Sequence, residues 1–256
     1  MILAAAQTKP HRGDIAANLD DHHRWIKMAA GQGAALIVFP ELSITGYERE
    51  NAAHLAFSAN DTRLDEMKSL AVQHKMVIIA GAPIKIDHGL FIGSFIIQSD
   101  GSVAVYTKQF LHPGEEVAYQ PSFDYNPVVK LDTERISFAI CADIDHSEHP
   151  ANAGKIQSTI YIPSIFFSPH GIPEAHRLLS NYAQKQSMDV LMSNYGGPSW
   201  GYDAGGRSAF WNKNGALIAE LGVADEGLLI VERKDSSWTG KKLVIEAQVV
   251  HPGNIL

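Results

Sequence analysis

Apolar residues fall in short, strand-length runs along nearly the whole chain, and this spacing commits most of the sequence to β-structure. Ile2–Gln7, Ala35–Phe39, Met76–Ala80, Leu90–Gln98 and Val103–Lys108 form a first group. Val128–Leu131, Ile136–Cys141, Ser158–Ile162 and Val190–Asn194 follow, and Ser208–Trp211, Leu217–Leu221 and Gly227–Val231 complete the set. Helical spacing intervenes between some of them. Asp14 offers an N-cap oxygen, and Ile15, Leu19, His22 and Ile26 then recur at three- and four-residue steps until Gly31 and Gly33. Leu64–His74 is a second helical stretch. Pro173–Gln186 is another, with Ala175, Leu178, Leu179 and Ala183 on one side. From about Asp235 the pattern weakens, although apolar residues remain.

Helices and strands interleave early, and paired strands dominate later. No Ser/Gly/Pro-rich linker and no repeat divides the chain. The pattern predicts one mixed α/β domain over residues 1–256, with two sheets and helices on their outer faces. Nearly half of the 256 residues are apolar, enough for a substantial core. The formal net charge is −7, from 21 basic and 28 acidic residues, which argues against nucleic acid or an anionic membrane as partner. No apolar run reaches bilayer-spanning length. Met1–Gln7 is too short for a secretory leader and runs at once into Lys9, Pro10, His11 and Arg12. The single cysteine rules out an intramolecular disulfide and suits a reducing compartment, so a cytoplasmic location is expected.

Three of the runs stop at a residue able to do chemistry. Val38-Phe39-Pro40 leads to Glu41, and apolar neighbours would raise the pKa of that carboxylate and make it a better base near neutral pH. Tyr106-Thr107 leads to Lys108, a cation placed to stabilise an oxyanion, with Glu115 or Glu116 following in Leu111-His112-Pro113-Gly114-Glu115-Glu116. Ile136–Ile140 leads to Cys141, with the Ala142 amide next in line. Taken singly, each has an ordinary structural explanation; a lone cysteine in an apolar run is most simply a small buried hydrophobe. Taken together, a nucleophile, a base and a cation at strand ends are the parts of an acyl-transfer site.

These segments resemble the nitrilase superfamily, the carbon–nitrogen hydrolases, whose members carry Glu, Lys and Cys in that order. Phe39-Pro40-Glu41 with Thr45-Gly46-Tyr47 resembles the glutamate motif, Tyr106-Thr107-Lys108 with Leu111 the lysine motif, and Ile140-Cys141-Ala142-Asp143 the cysteine motif. Asn194-Tyr195-Gly196-Gly197, Gly206-Arg207-Ser208 and Asn214-Gly215 resemble later stretches of the family, so the likeness spans nearly the whole chain. It implies a four-layer α-β-β-α sandwich of two mixed sheets. It also implies a homodimer or larger homo-oligomer, with residues 235–256 engaged in subunit contacts. A second glutamate beside the lysine is implied as well; Glu115 is preferred, because Tyr119 follows it by four residues, and Glu116 is the alternative. Ala142 and Asp143 stand where nitrile-cleaving members carry tryptophan and glutamate, which favours the amidase or carbamoylase branch.

The implied activity is hydrolysis of a small amide or N-carbamoyl compound through a Cys141 thioester, without metal or other cofactor. Tyr47, Tyr119, Phe166, Asn194 and Tyr195 are the candidate pocket residues beside Ala142. The rival readings are an acyltransferase that uses the same thioester and a non-catalytic protein that keeps the fold. Two departures bear on specificity. Lys185 replaces an expected glutamate in Tyr182-Ala183-Gln184-Lys185-Gln186, and Asp145, His146, Glu148 and His149 form an unusual polar segment. Loop spacing of this kind reads as a solvated turn, not as a metal site.

Overall fold

In a computed structural model that describes residues 1–245, the strand-length runs assemble into two mixed sheets packed face to face. The N-terminal part begins with β1 (Ile2–Gln7), α1 (Ile15–Gly31), β2 (Leu36–Val38), α2 (Ala52–Leu55) and α3 (Asp65–His74). It continues with β3 (Val77–Ile86), β4 (Gly89–Ile97) and β5 (Val103–Thr107). Then come β6 (Val129–Leu131), β7 (Glu134–Ile140), α4 (Glu148–Lys155), β8 (Ile160–Ser164), α5 (Ile172–Gln186) and β9 (Asp189–Met192). The last strands are β10 (Ala209–Trp211), β11 (Leu217–Glu220), β12 (Gly227–Lys234) and β13 (Ser237–Val244).

The first sheet has the order β13-β12-β1-β2-β3-β4-β5, and the second β11-β10-β9-β8-β7-β6. In each, three parallel strands (β1–β3 and β7–β9) form the centre and antiparallel strands flank them. Alternation along the strands builds the layers. Leu3, Ala5 and Val38 face Ile136, Phe138 and Ile140 across the central core. Ala4, Ala6, Ile37 and Phe39 point the other way and pack with Trp25 and Ile26 of α1 and Met67 and Leu70 of α3. Behind the second sheet, Ala139, Tyr161 and Val190 pack with Ala153 of α4 and Leu179 and Ala183 of α5. The expected α-β-β-α layering is therefore the architecture observed.

Several elements depart from the sequence reading. β3 runs past Ala80 to Ile86, because β4 supplies partners along its full length; Gly81 and Pro83, which punctuate the sequence, lie within the strand. The weakly patterned tail contains β13, joined to β12 by Asp235 and Ser236, both at positive φ as a tight hairpin turn of this kind requires. Most of β13 is exposed on both faces, so no apolar alternation was imposed on its sequence. Residues 246–256, the remainder of that tail, lie outside the described residues. The polar segment 145–149 is not a solvated turn throughout, because His149 is buried in the first turn of α4.

Candidate active site

β3, β4 and β5 alternate in direction, so β5 runs the same way as β2, and Glu41 and Lys108 emerge at the same edge of their sheet. Cys141 emerges from β7 of the facing sheet. Each follows the C-terminal end of its strand, where layered α/β folds assemble their sites.

Beyond β2 the chain turns sharply, with Leu42 at φ +52°. Gly81 makes the turn possible, since a Cβ there would stand 2.4 Å from the Leu42 nitrogen. Ser43 secures it: its Oγ accepts from Gly81 N at 3.2 Å and pairs with His22 Nε2 at 2.9 Å. The other His22 nitrogen, Nδ1, lies 2.6 Å from the Asn18 carbonyl. A carbonyl only accepts, so Nδ1 carries the proton and Nε2 accepts from the Ser43 hydroxyl. Burial lowers the His22 pKa to about 4, which keeps the ring neutral. Tyr195 adds a further clamp by donating from its hydroxyl to the Glu41 carbonyl at 2.7 Å.

Lys108 is fully buried, and its Nζ donates to Glu41 Oε1 at 2.8 Å and to Glu115 Oε1 at 2.9 Å. Burial alone would discharge it, but Glu41, Cys141, Glu115 and Tyr47 together raise its pKa well above the usual lysine value. Two acceptors leave one of its three N–H groups for another oxygen. Glu115 is fixed in turn by the Tyr47 hydroxyl at 2.5 Å and His112 N at 2.8 Å. Glu116 is exposed and accepts only from Gly114 N among the described residues.

Glu41 Oε2 is buried without a hydrogen-bond partner among the described residues. Burial, opposed by Lys108 and reinforced by Glu115, raises the Glu41 pKa to about 7; the Cys141 thiol donates to the Phe166 carbonyl at 3.9 Å. Cys141 opens a 3-10 turn over Cys141–Asp145, at φ +45°, so the chain bends abruptly where the sulfur is presented. Its pKa is raised well above the usual thiol value by burial and by the Glu41 charge. Ala142 is the second residue of that turn, where the leading amides of a helix have no intrahelical partner.

Asp143 ties the two sheets together at this point. Its Oδ1 accepts from Gln109 N and Phe110 N at 3.0 and 2.9 Å, just past Lys108. Its Oδ2 accepts from Ile140 N at 2.8 Å and from the Tyr106 hydroxyl at 2.6 Å. His149 stands behind, with Nε2 2.8 Å from the Tyr106 oxygen and Nδ1 2.8 Å from the Tyr161 hydroxyl. Tyr106 gives its one proton to Asp143, so His149 donates through Nε2 and accepts at Nδ1 from Tyr161. Both His149 nitrogens are thus engaged by tyrosines, and among the described residues no three His, Cys, Asp or Glu side chains are grouped to hold a metal ion.

The cleft above Cys141 has a volume of about 500 Å3. Tyr47 and Phe166 line it as expected residues, their rings 5.4 Å apart, and Trp200 extends the aromatic wall 5.8 Å from Tyr47. Three of the other expected pocket residues lie behind the wall. Asn194 spends its side-chain amide on the backbone of Phe167 and Gly206 and so holds the Phe166 segment. Tyr195 is fully buried beneath Phe166 and Glu41, and Tyr119 is buried without a hydrogen-bond partner for its hydroxyl among the described residues. Asp145, from the polar segment flagged in the sequence, also lines the cleft, and Arg49, Glu174 and Trp200 line it without having been singled out. They lie in loops or at a helix start, where no periodicity marks a residue as inward-facing. Lys185, by contrast, is exposed near the C-terminal end of α5, whereas the first turn of that helix borders the cleft.

A thiol, a carboxylate pair and an ammonium buried together at the edge of a four-layer sandwich define a hydrolase of the cysteine-nucleophile type. The chain belongs to the carbon-nitrogen hydrolase family, whose model matches residues 2–242. It is 26% identical over 239 residues to the "Hydrolase in pqqF 5'region" of Pseudomonas protegens, covering 90% of this chain and 81% of that one. It is 25% identical over 233 residues to the "Hydrolase in agr operon" of Staphylococcus aureus, covering 85% of each. An amidase from Nesterenkonia sp. superposes with a TM-score of 0.82 at 25% identity, covering 92% of this chain and 90% of that one. Other solved forms of the Nesterenkonia amidase carry the acetamide moiety of fluoroacetamide covalently on the active-site cysteine, or butyramide as a complex.

Proposed function

We propose that this chain hydrolyses the carbon–nitrogen bond of a small amide or N-carbamoyl compound through a thioester on Cys141. The observation that carries the reading is the buried pair of bonds from Lys108 Nζ to Glu41 and Glu115, set beside a thiol whose pKa is too high for it to ionise unaided. Such a thiol needs a base at the moment of attack, and Glu41, with a pKa near 7 and a free Oε2, is suited to be one.

In this mechanism Glu41 takes the Cys141 proton as the sulfur attacks the carbonyl carbon. The oxyanion is held by the remaining N–H of Lys108 and by the Ala142 amide. Glu41 then passes the proton to the departing nitrogen, the C–N bond breaks, and ammonia or a small amine leaves a thioester. Glu41 next deprotonates a water that attacks the thioester, and the proton returns to the Cys141 sulfur as the acid departs. Glu115 positions Lys108 and is itself held by Tyr47. The residues assemble every group these steps use, and no step calls for a metal or an organic cofactor.

Assays of ammonia release from short aliphatic amides and N-carbamoyl compounds, run with and without an added amine, test the reading. Acid as the sole acyl product supports hydrolysis, whereas transfer to the amine in preference to water points to an acyltransferase. We further propose a homodimer or larger homo-oligomer. Val117, Phe123 and Tyr202 are large exposed apolar residues of the kind such an assembly covers. Sedimentation equilibrium decides the point, a monomer at micromolar concentration counting against it. A cytoplasmic location and a single catalytic domain complete the proposal. A reducing compartment keeps the Cys141 thiol in the form the reaction requires.

A further inference from the structure

We infer that Arg49 is a carboxylate-binding residue of the cleft, and that the substrate is a short amide or N-carbamoyl compound bearing a carboxylate at the end remote from the scissile bond. The inference rests on the amide-hydrolase reading and narrows its substrate class. Arg49 lines the same cleft as Cys141 and Glu41. Its guanidinium lies 5.0 Å from the centre of the Tyr47 ring and 4.2 Å from that of Trp200. Tyr47 in turn bonds Glu115, so one aromatic side chain separates the arginine from the charged cluster at the nucleophile.

Among the described residues the Arg49 side chain forms no hydrogen bond or ion pair with a protein acceptor, and its Nε is buried without a partner. The nearby acids are engaged elsewhere. Glu48 accepts from Arg12 Nε at 2.7 Å, Glu50 accepts from Trp200 Nε1 at 2.8 Å, and Glu115 holds Lys108. The contacts with the two rings spend none of the guanidinium donors on a protein oxygen, and the N–H fork of an arginine matches the two oxygens of a carboxylate. A half-buried cation set against two rings, with its donors unspent, has less freedom to lose when an anion docks than an exposed one. Asp145 and Glu174 also line the cleft, Glu174 paired with Arg177; among the described residues Arg49 is the one arginine or lysine of the lining, and it has no acidic partner there.

The test compares succinamate with butanamide, which have the same chain length and differ in a terminal carboxylate against a methyl. Binding is measured calorimetrically to Cys141→Ala, which cannot turn either compound over, and to the same protein carrying Arg49→Met or Arg49→Lys. Succinamate is expected to bind about 10- to 100-fold more tightly than butanamide. Arg49→Met is expected to erase that ratio, and Arg49→Lys to restore part of it. Equal affinity of Cys141→Ala for the two compounds, or a ratio that survives Arg49→Met, overturns the inference. Because this readout needs no catalysis, it is independent of the hydrolase reading, which stands or falls on acylation of Cys141.

Discussion

At the scale of single residues, burial and charge decide the state of each catalytic group. Glu41 is the one whose titration falls in the working range. Its pKa is raised to about 7 by burial, so it must lose a proton before it can act as base. On this account kcat/KM rises with pH through about 7 and levels off above it, a profile read directly from initial rates. Glu41→Gln lowers kcat/KM by about 10²–10⁴ and removes the dependence. Cys141 sits at φ +45°, a conformation that disfavours any side chain. Cys141→Gly is therefore expected to be more stable than Cys141→Ala by about 1 kcal/mol in urea unfolding, though both are inactive. Equal stability would show that the turn is not strained. These features were only partly legible in the sequence. The motifs placed Glu41, Lys108 and Cys141 at strand ends and implied a second glutamate beside the lysine, but nothing in them reveals that the Tyr47 hydroxyl and the His112 amide fix Glu115 there.

At the scale of elements, the active groups are held by contacts between segments distant in sequence. His22 of α1 holds the turn after Glu41 through Ser43. Its pKa falls from its ordinary value of 6.5 to about 4 on burial, so the unfolded chain binds a proton there first. Folding stability due to His22 is present above about pH 6.5 and is lost as pH falls toward 4. His22→Gln should flatten the loss of stability over that window in denaturation experiments; an unchanged slope would place the acid sensitivity elsewhere. His22 was visible in the sequence only as one member of an apolar helical face, because periodicity reports burial and not the bond that burial requires. His149 shows the same limit. Its neighbours Asp145, His146 and Glu148 suggested a solvated turn, yet Tyr106 and Tyr161, from strands in different sheets, supply its partners. The strand β13 went unread for the opposite reason: with most of its residues exposed, its pairing depends on backbone bonds to β12.

At the scale of the whole molecule, catalysis depends on how the two sheets face each other, since Glu41 and Lys108 come from one and Cys141 from the other. The layering was legible because each sheet alternates inward and outward residues at a period of two. The cleft was legible only in part: Tyr47 and Phe166 line it as expected, whereas Arg49, Trp200 and Glu174 reach it from loops and a helix start that carry no such period. Phe138 lies between the sheets, almost fully buried, with its ring 6.4 Å from Tyr106. Phe138→Ala should cost about 3–5 kcal/mol of stability. It should also slow turnover by loosening the contact between β5 and β7, measurable as a fall in kcat at a temperature where the variant stays folded.

The account's central claim is that the Cys141 sulfur forms a covalent acyl intermediate under the control of Glu41 and Lys108. Rapid-quench intact-mass analysis after mixing the protein with a short amide, followed by peptide mapping, tests it most directly. The predicted result is an acyl adduct on the peptide containing Cys141, formed with release of one ammonia, absent in Cys141→Ala and slowed at least about 100-fold in Lys108→Ala. Amide hydrolysis that continues unchanged in Cys141→Ala would contradict the account.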